Sequence, residues 1–135
     1  MATIENRIQT RADPARIWEA INDIGALHTR LVPGFVLDTR LEAGARWVTF
    51  FDGTTIRERI VTRDDATRRL VWSADSPALA HHSSSVQVTI RDGLSCVRWV
   101  SDFLPDTAAA TIEPMMAAGA RAMQGALDAL VQKTA

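Results

Sequence analysis

Glu58 is the residue whose type and setting hold the most chemical promise. Along residues 55–63 the side chains alternate so that Ile56, Glu58 and Ile60 share one face of a strand, the face that should turn inward. An acid enclosed by apolar groups disfavours its own charged form, so its pKa should rise unless a partner compensates it. A carboxyl in that state can act as a general acid or base, or donate a hydrogen bond to a bound molecule. The competing expectation is a Glu58 paired with an arginine or standing at a water-filled mouth, and the sequence leaves both open. Histidine offers a second constellation in His28 and the adjacent His81-His82. Neighbouring strand residues point to opposite faces, and counting back from Val86 through Ser84 turns His82 inward and His81 outward. A three-histidine metal site is therefore not expected; structural or solvent-facing histidines are, with a place at a cavity entrance left open for His28. Ser83, Ser84 and Ser85 lack the Gly-x-Ser-x-Gly turn of a nucleophile elbow.

Cys96 is the single cysteine and sits inside a strand pattern, which predicts a buried structural thiol. The one lysine, Lys133, lies too near the end of the chain for Schiff-base chemistry. The sequence carries no glycine-rich phosphate loop, His-Glu-x-x-His pair or Cys-x-x-Cys pair, so neither a metal nor a cofactor is expected.

A chain of 135 residues, 47% hydrophobic, is long enough for one well-buried core and predicts a single domain over residues 1–135. Its net charge of −1 and its scattered arginines exclude a nucleic-acid footprint. Even the densest basic run, Arg57 to Arg69, is interrupted by Glu58, Asp64 and Asp65. The start, MATIENRIQT, has no basic and apolar leader, and no apolar stretch is long enough for a membrane span, so a cytoplasmic protein is expected.

The elements that must position these side chains follow from periodicity. Residues 3–10 alternate as a strand. Asp13-Pro14 then opens a helix with the stripe Ile17, Trp18, Ile21 and Ile24, and Ala26 to Leu31 forms a second short helical piece before Pro33-Gly34. Six strands follow over residues 35–41, 45–51, 55–63, 69–74, 82–91 and 94–103, with turn residues such as Asp52-Gly53 and Asp92-Gly93 between them. Consecutive hairpins imply an antiparallel meander. From Thr107 the period changes to that of one long helix ending near residue 133, with Pro114 in its first turn or at a kink. Its inner stripe, Ile112, Met116, Gly119, Met123, Ala126 or Leu127, and Leu130, combines small residues with adaptable methionines. Such a face against a bent sheet predicts either an ordinary core or an apolar cavity for a small molecule.

Alternation assigns the inward faces: Phe35, Leu37 and Leu41; Ile56 and Ile60; Leu70, Trp72 and Ala74; Val86, Val88 and Ile90; Val97, Trp99, Ser101 and Phe103. Residues 45–51 are apolar on both faces. Trp47, Thr49 and Phe51 are read there as inward, leaving Val48 and Phe50 as an outer apolar row on which another protein or a second copy could dock.

The order of strand, two short helices, six-strand meander and long helix resembles the α+β helix-grip fold of the START-like superfamily, and specifically its polyketide cyclase/dehydratase-like bacterial members. The local features carrying the resemblance are Ala12-Asp13-Pro14-Ala15-Arg16-Ile17-Trp18, Gly53 through Glu58-Arg59-Ile60, and Ser95-Cys96-Val97-Arg98-Trp99. It implies a seven-stranded curved antiparallel sheet around the C-terminal helix and a ligand cavity between them. It decides little about chemistry, because the superfamily holds carriers and receptors as well as enzymes. The chain departs from that pattern in having no tyrosine. The expected role is binding of a small apolar molecule, polyketide-like, aromatic or lipid, with a homodimer left open. Trp47, Trp72, Trp99, Phe103, Met116 and Met123 would supply apolar contact, while Glu58 and His82 orient a polar end. The alternative is a cyclase, dehydratase or isomerase in which Glu58 moves a proton.

Overall fold

The computed structural model describes residues 1–131. Strand β1 (Ala2–Thr10) leads into helix α1 (Pro14–Asn22), followed by the short helical turns Ile24–Ala26 and Leu27–Leu31. Then come β2 (Val36–Glu42), β3 (Ala45–Phe50), β4 (Thr55–Asp64), β5 (Arg69–Asp75), β6 (His81–Arg91), β7 (Leu94–Leu104) and helix α2 (Ala109–Asp128). The strands form one seven-stranded sheet in the order β1-β7-β6-β5-β4-β3-β2, antiparallel throughout. The fold is thus the expected helix grip.

Local chemistry explains the corners. The Asp13 carboxylate accepts a hydrogen bond from the Ala15 N–H at 3.1 Å, and Pro14, which has no N–H to satisfy, starts α1. Asp92 and Gly93 both take positive φ (52° and 77°), the backbone that a tight hairpin between β6 and β7 requires. On α1, Ile17, Trp18 and Ile21 are buried, and the Trp18 indole donates to Asp65 at 2.8 Å. On α2, Met116, Gly119, Met123 and Leu127 are buried, which is the stripe the periodicity gave. Pro114 lies inside α2 rather than in its first turn, and it is exposed. The helix stops at Asp128, before the expected residue 133. The N–H groups of Leu130 and Val131 reach back only three residues, to Leu127 and Asp128, in a tightened last turn. The rest of that expectation, residues 132–135, lies outside the described residues.

Two strands run in the opposite register to the sequence reading. On β2 it is Val36 that is buried, at 2% exposure, whereas Leu37 and Leu41 are more than half exposed. A register shift between Val36 and Asp38 breaks the simple alternation there. On β3 the inward residues are Arg46, Val48 and Phe50: Arg46 is 2% and Val48 0% exposed, and Phe50 packs on the core. Val48 and Phe50 therefore form no outer docking row. Ile90 keeps its face but is 62% exposed at the far end of β6.

Candidate functional site

A cavity of about 530 Å³ lies between the concave sheet and α2. Buried Leu27, Leu31, Val36, Val86 and Met123 line its deep end. Its mouth is bordered by exposed residues from three places: Asp52 and Thr54 of the β3–β4 hairpin, Ala78 of the β5–β6 loop, and Thr107 and Thr111 at the start of α2. Gly119 sets how closely the helix approaches. A Cβ there would lie 2.8 Å from Trp99 Cη2 and 3.0 Å from Phe35 Cε2, so glycine lets α2 rest directly on the Trp99 ring. The small side chain at this position is filled by tryptophan and contributes no empty space. Trp99 itself lines the cavity, as do Met115, Met116 and Met123 of α2.

Two polar groupings interrupt the apolar wall. The first is an ion pair. The register Arg46↔Glu58 makes these residues direct neighbours across β3 and β4, and Arg46 Nε donates to Glu58 Oε1 at 2.9 Å. The side chains are only 2% and 9% exposed. A second guanidinium nitrogen, Nη1, donates to the Ile24 carbonyl at 3.4 Å, and the guanidinium lies 5.3 Å from the Trp72 ring centroid, within cation–π range. Among the described residues, Glu58 Oε2 and Arg46 Nη2 have no hydrogen-bond partner. The expected inward acid is present, and it is paired. Of the two expectations for Glu58, the arginine-paired one is what the structure shows.

The second grouping is uncharged. Ser84 and Ser101 face each other across β6 and β7 with their hydroxyl oxygens 2.6 Å apart, both buried. His82 stands two residues along β6 on the same face, edge-on to Phe103 with ring centroids 6.4 Å apart. Burial, and to a lesser degree the neighbouring His81, lowers the His82 pKa below its ordinary value, so its neutral form is favoured. β6 lies two strands from β4, which separates the two polar groupings by roughly 10 Å with β5 between them. The Trp99 indole N–H is buried beside this region without a partner among the described residues.

Of the residues singled out from sequence, Glu58, Trp72, His82, Trp99, Met116 and Met123 line the cavity. Trp47 does not. It points to the outer face, where its indole donates to Glu42 at 3.0 Å and Arg40 stacks at 5.5 Å, because β3 runs in the opposite register. Phe103 is fully buried at 0% exposure but packs behind His82 rather than on the cavity wall. His28 is also away from the cavity: its Nδ1 shares a hydrogen bond of 3.0 Å with the Thr39 hydroxyl. Sequence reasoning missed Arg46, and it turned Ser84 and Ser101 inward without assigning either a role in the cavity. For Arg46 the turn residues pointed elsewhere: a two-residue Asp52-Gly53 turn would set Trp47 opposite Glu58, whereas the Phe50 N–H donates to the Thr54 carbonyl at 2.8 Å, so the loop holds three residues and Arg46 takes that place. Among the described residues no cluster of three or more His, Cys, Asp or Glu could hold a metal ion, and no helix is long and apolar enough to cross a membrane.

Comparison with known proteins adds an independent line. The family model described as polyketide cyclase / dehydrase and lipid transport matches residues 1–135. No curated protein matches the sequence. Solved structures share the fold at low identity. The protein XoxI from Bacillus cereus superimposes with a TM-score of 0.81 at 23% identity, covering 94% of this chain and 96% of its own. A START superfamily protein from Mycobacterium smegmatis gives 0.75 at 8% identity, with 96% and 99% covered. The di-domain ARO/CYC protein BexL gives 0.73 at 17% identity, and this chain matches 96% of itself to 46% of that one.

Proposed function

The chain belongs to the polyketide cyclase / dehydrase and lipid transport family, and on that premise we propose that it binds a small, mainly apolar molecule between sheet and helix, as a carrier or sensor. The observation that carries this reading is the cavity itself: about 530 Å³ of space, walled by leucine, valine, methionine and tryptophan, in which the buried polar side chains among the described residues gather at two places, Arg46 with Glu58 and Ser84 with Ser101. A volume of this order suits a drug-sized ligand, and the sparse polar groups supply orientation rather than bulk affinity. Ser101 and His82 hold one end of the ligand, and Arg46 with Glu58 the other. Trp72 and Trp99 contribute flat apolar contact between them.

Native mass spectrometry of freshly purified protein tests this directly. An adduct of a few hundred daltons, released by organic solvent and apolar in character, is the expected result. A bare chain mass, together with no rise in melting temperature from a panel of alcohols, naphthols and fatty amides, would sink the binding reading.

A second reading is favoured by one feature, the unpartnered Glu58 Oε2 beside Arg46. In a cyclisation or dehydration, Glu58 would relay a proton while Arg46 holds the developing charge on a substrate oxygen. The two readings separate on one variant: Glu58→Gln abolishes turnover of a bound polyketone if Glu58 transfers protons, and leaves a pure carrier loaded with the same unreacted molecule.

A further inference from the structure

The charges of the cavity are nearly self-compensating, and this bears on which ligands it can admit. Among the described residues its ionisable lining groups are Arg46, Glu58, His82 and Asp52. Arg46 is held by Glu58 at 2.9 Å, with both side chains almost wholly buried. Asp52 stands exposed at the mouth, where the Thr54 backbone N–H, 3.0 Å from its carboxylate, stabilises its negative charge. Among the described residues the cavity thus contains no free cation. A ligand carboxylate entering it would shed its hydration, pass Asp52, and meet an arginine whose charge is already satisfied. An ionised group transferred without a compensating partner is strongly disfavoured.

What the ion pair does leave open, among the described residues, is the remaining guanidinium N–H donors of Arg46, foremost the two on Nη2, and an acceptor, Glu58 Oε2, on neighbouring strands. The complement of such a pair is a group that accepts and donates together. A hydroxyl or a carboxamide does both, whereas a carboxylate only accepts. Across the cavity, Ser84 and Ser101 repeat the pattern in neutral form: one hydroxyl donates to the other over 2.6 Å, which leaves the second hydroxyl's proton for a ligand oxygen.

We propose that the cavity selects electrically neutral molecules, an apolar body ending in a hydroxyl or carboxamide, and rejects carboxylates of the same skeleton, with Glu58 as the residue that enforces the choice. This inference rests on the ligand-binding reading above and adds the ligand class. Its test compares 1-decanol with decanoate on the full chain by isothermal titration at about pH 8, where the fatty acid is ionised. Decanol should bind at least about tenfold more tightly than decanoate. In Glu58→Gln the uncompensated Arg46 should attract the anion, bringing the ratio to one or inverting it. Equal or tighter decanoate binding by the native chain overturns the proposal while leaving the binding reading intact, and an unchanged ratio in the variant overturns the role of Glu58. If neither compound binds and no apolar mass is carried, the binding reading falls and the selectivity with it. The native-chain ratio decides the question by itself should the variant fail to fold.

Discussion

Breaking the Arg46–Glu58 pair from one side should cost far more than removing it whole. The two groups are desolvated together, with side-chain exposures of 2% and 9%, and are joined by a 2.9 Å charge-assisted hydrogen bond. Removing one partner from a buried pair leaves an uncompensated charge, a loss of about 3–5 kcal/mol. Glu58→Gln should sit at the lower end, about 3 kcal/mol, because the amide oxygen still accepts from Arg46 Nε. Glu58→Leu, which leaves Arg46 with neither countercharge nor acceptor, should approach about 5 kcal/mol, and Arg46→Met should fall between. The double variant Arg46→Met/Glu58→Leu buries two apolar side chains in place of the pair, so it should lose less than either corresponding single change. Urea titrations of the native chain and the four variants read these values from the midpoint and slope, and about 3 kcal/mol corresponds to a melting temperature lower by roughly 10 °C in a domain of this size. Salt should scarcely alter them, since a buried pair is poorly screened. Single variants within about 0.5 kcal/mol of the native chain, or a double variant as unstable as the sum of the singles, would refute the reasoning. Such results would mean that the pair is hydrated through the cavity mouth.

Two further outcomes follow from the same geometry. On helix α2, glycine to alanine should act with opposite sign at two positions. Gly125→Ala meets nothing within 4 Å and should stabilise by about 0.5–1 kcal/mol, whereas Gly119→Ala drives a methyl to 2.8 Å from Trp99 and should lose about 1–3 kcal/mol to overpacking, offset in part by the same helix gain. Melting curves of the two variants check this, and equal stabilisation would show that Trp99 moves freely. His82 sets a pH dependence: its folded pKa is lowered, chiefly by burial, so the folded state binds its proton less readily than the unfolded state. The associated stability is fully present above the unfolded value of about 6.5 and is lost as pH falls through it toward the lower folded value. Native protein should therefore lose more stability than His82→Gln between about pH 7.5 and 5, and parallel curves for the two would count against a buried neutral imidazole.

Where one face of an element was plainly apolar and the other plainly polar, residue order alone determined its place. The alternation of β6 and β7 put Val86, Val88, Val97 and Ser101 inside, and the three- and four-residue steps of α2 put Met116, Gly119, Met123 and Leu127 against the sheet. Turn residues such as Asp92-Gly93 fixed the meander. The inward position of Glu58 came from the same rule. What tertiary structure decided lay where that rule is silent. β3 has apolar side chains on both faces, so only its pairing with β4 chose Val48 and Phe50 over Trp47 and Phe51, and the shift in β2 chose Val36 over Leu37. Burial of Arg46 is the sharpest case: an arginine has no local preference for the interior, and its place there depends on Glu58, twelve residues away, to carry the opposite charge. Whether small residues on α2 leave a void is likewise a matter of three dimensions. Gly119 is filled by Trp99 from β7, and the space that remains depends on how far the sheet bends away.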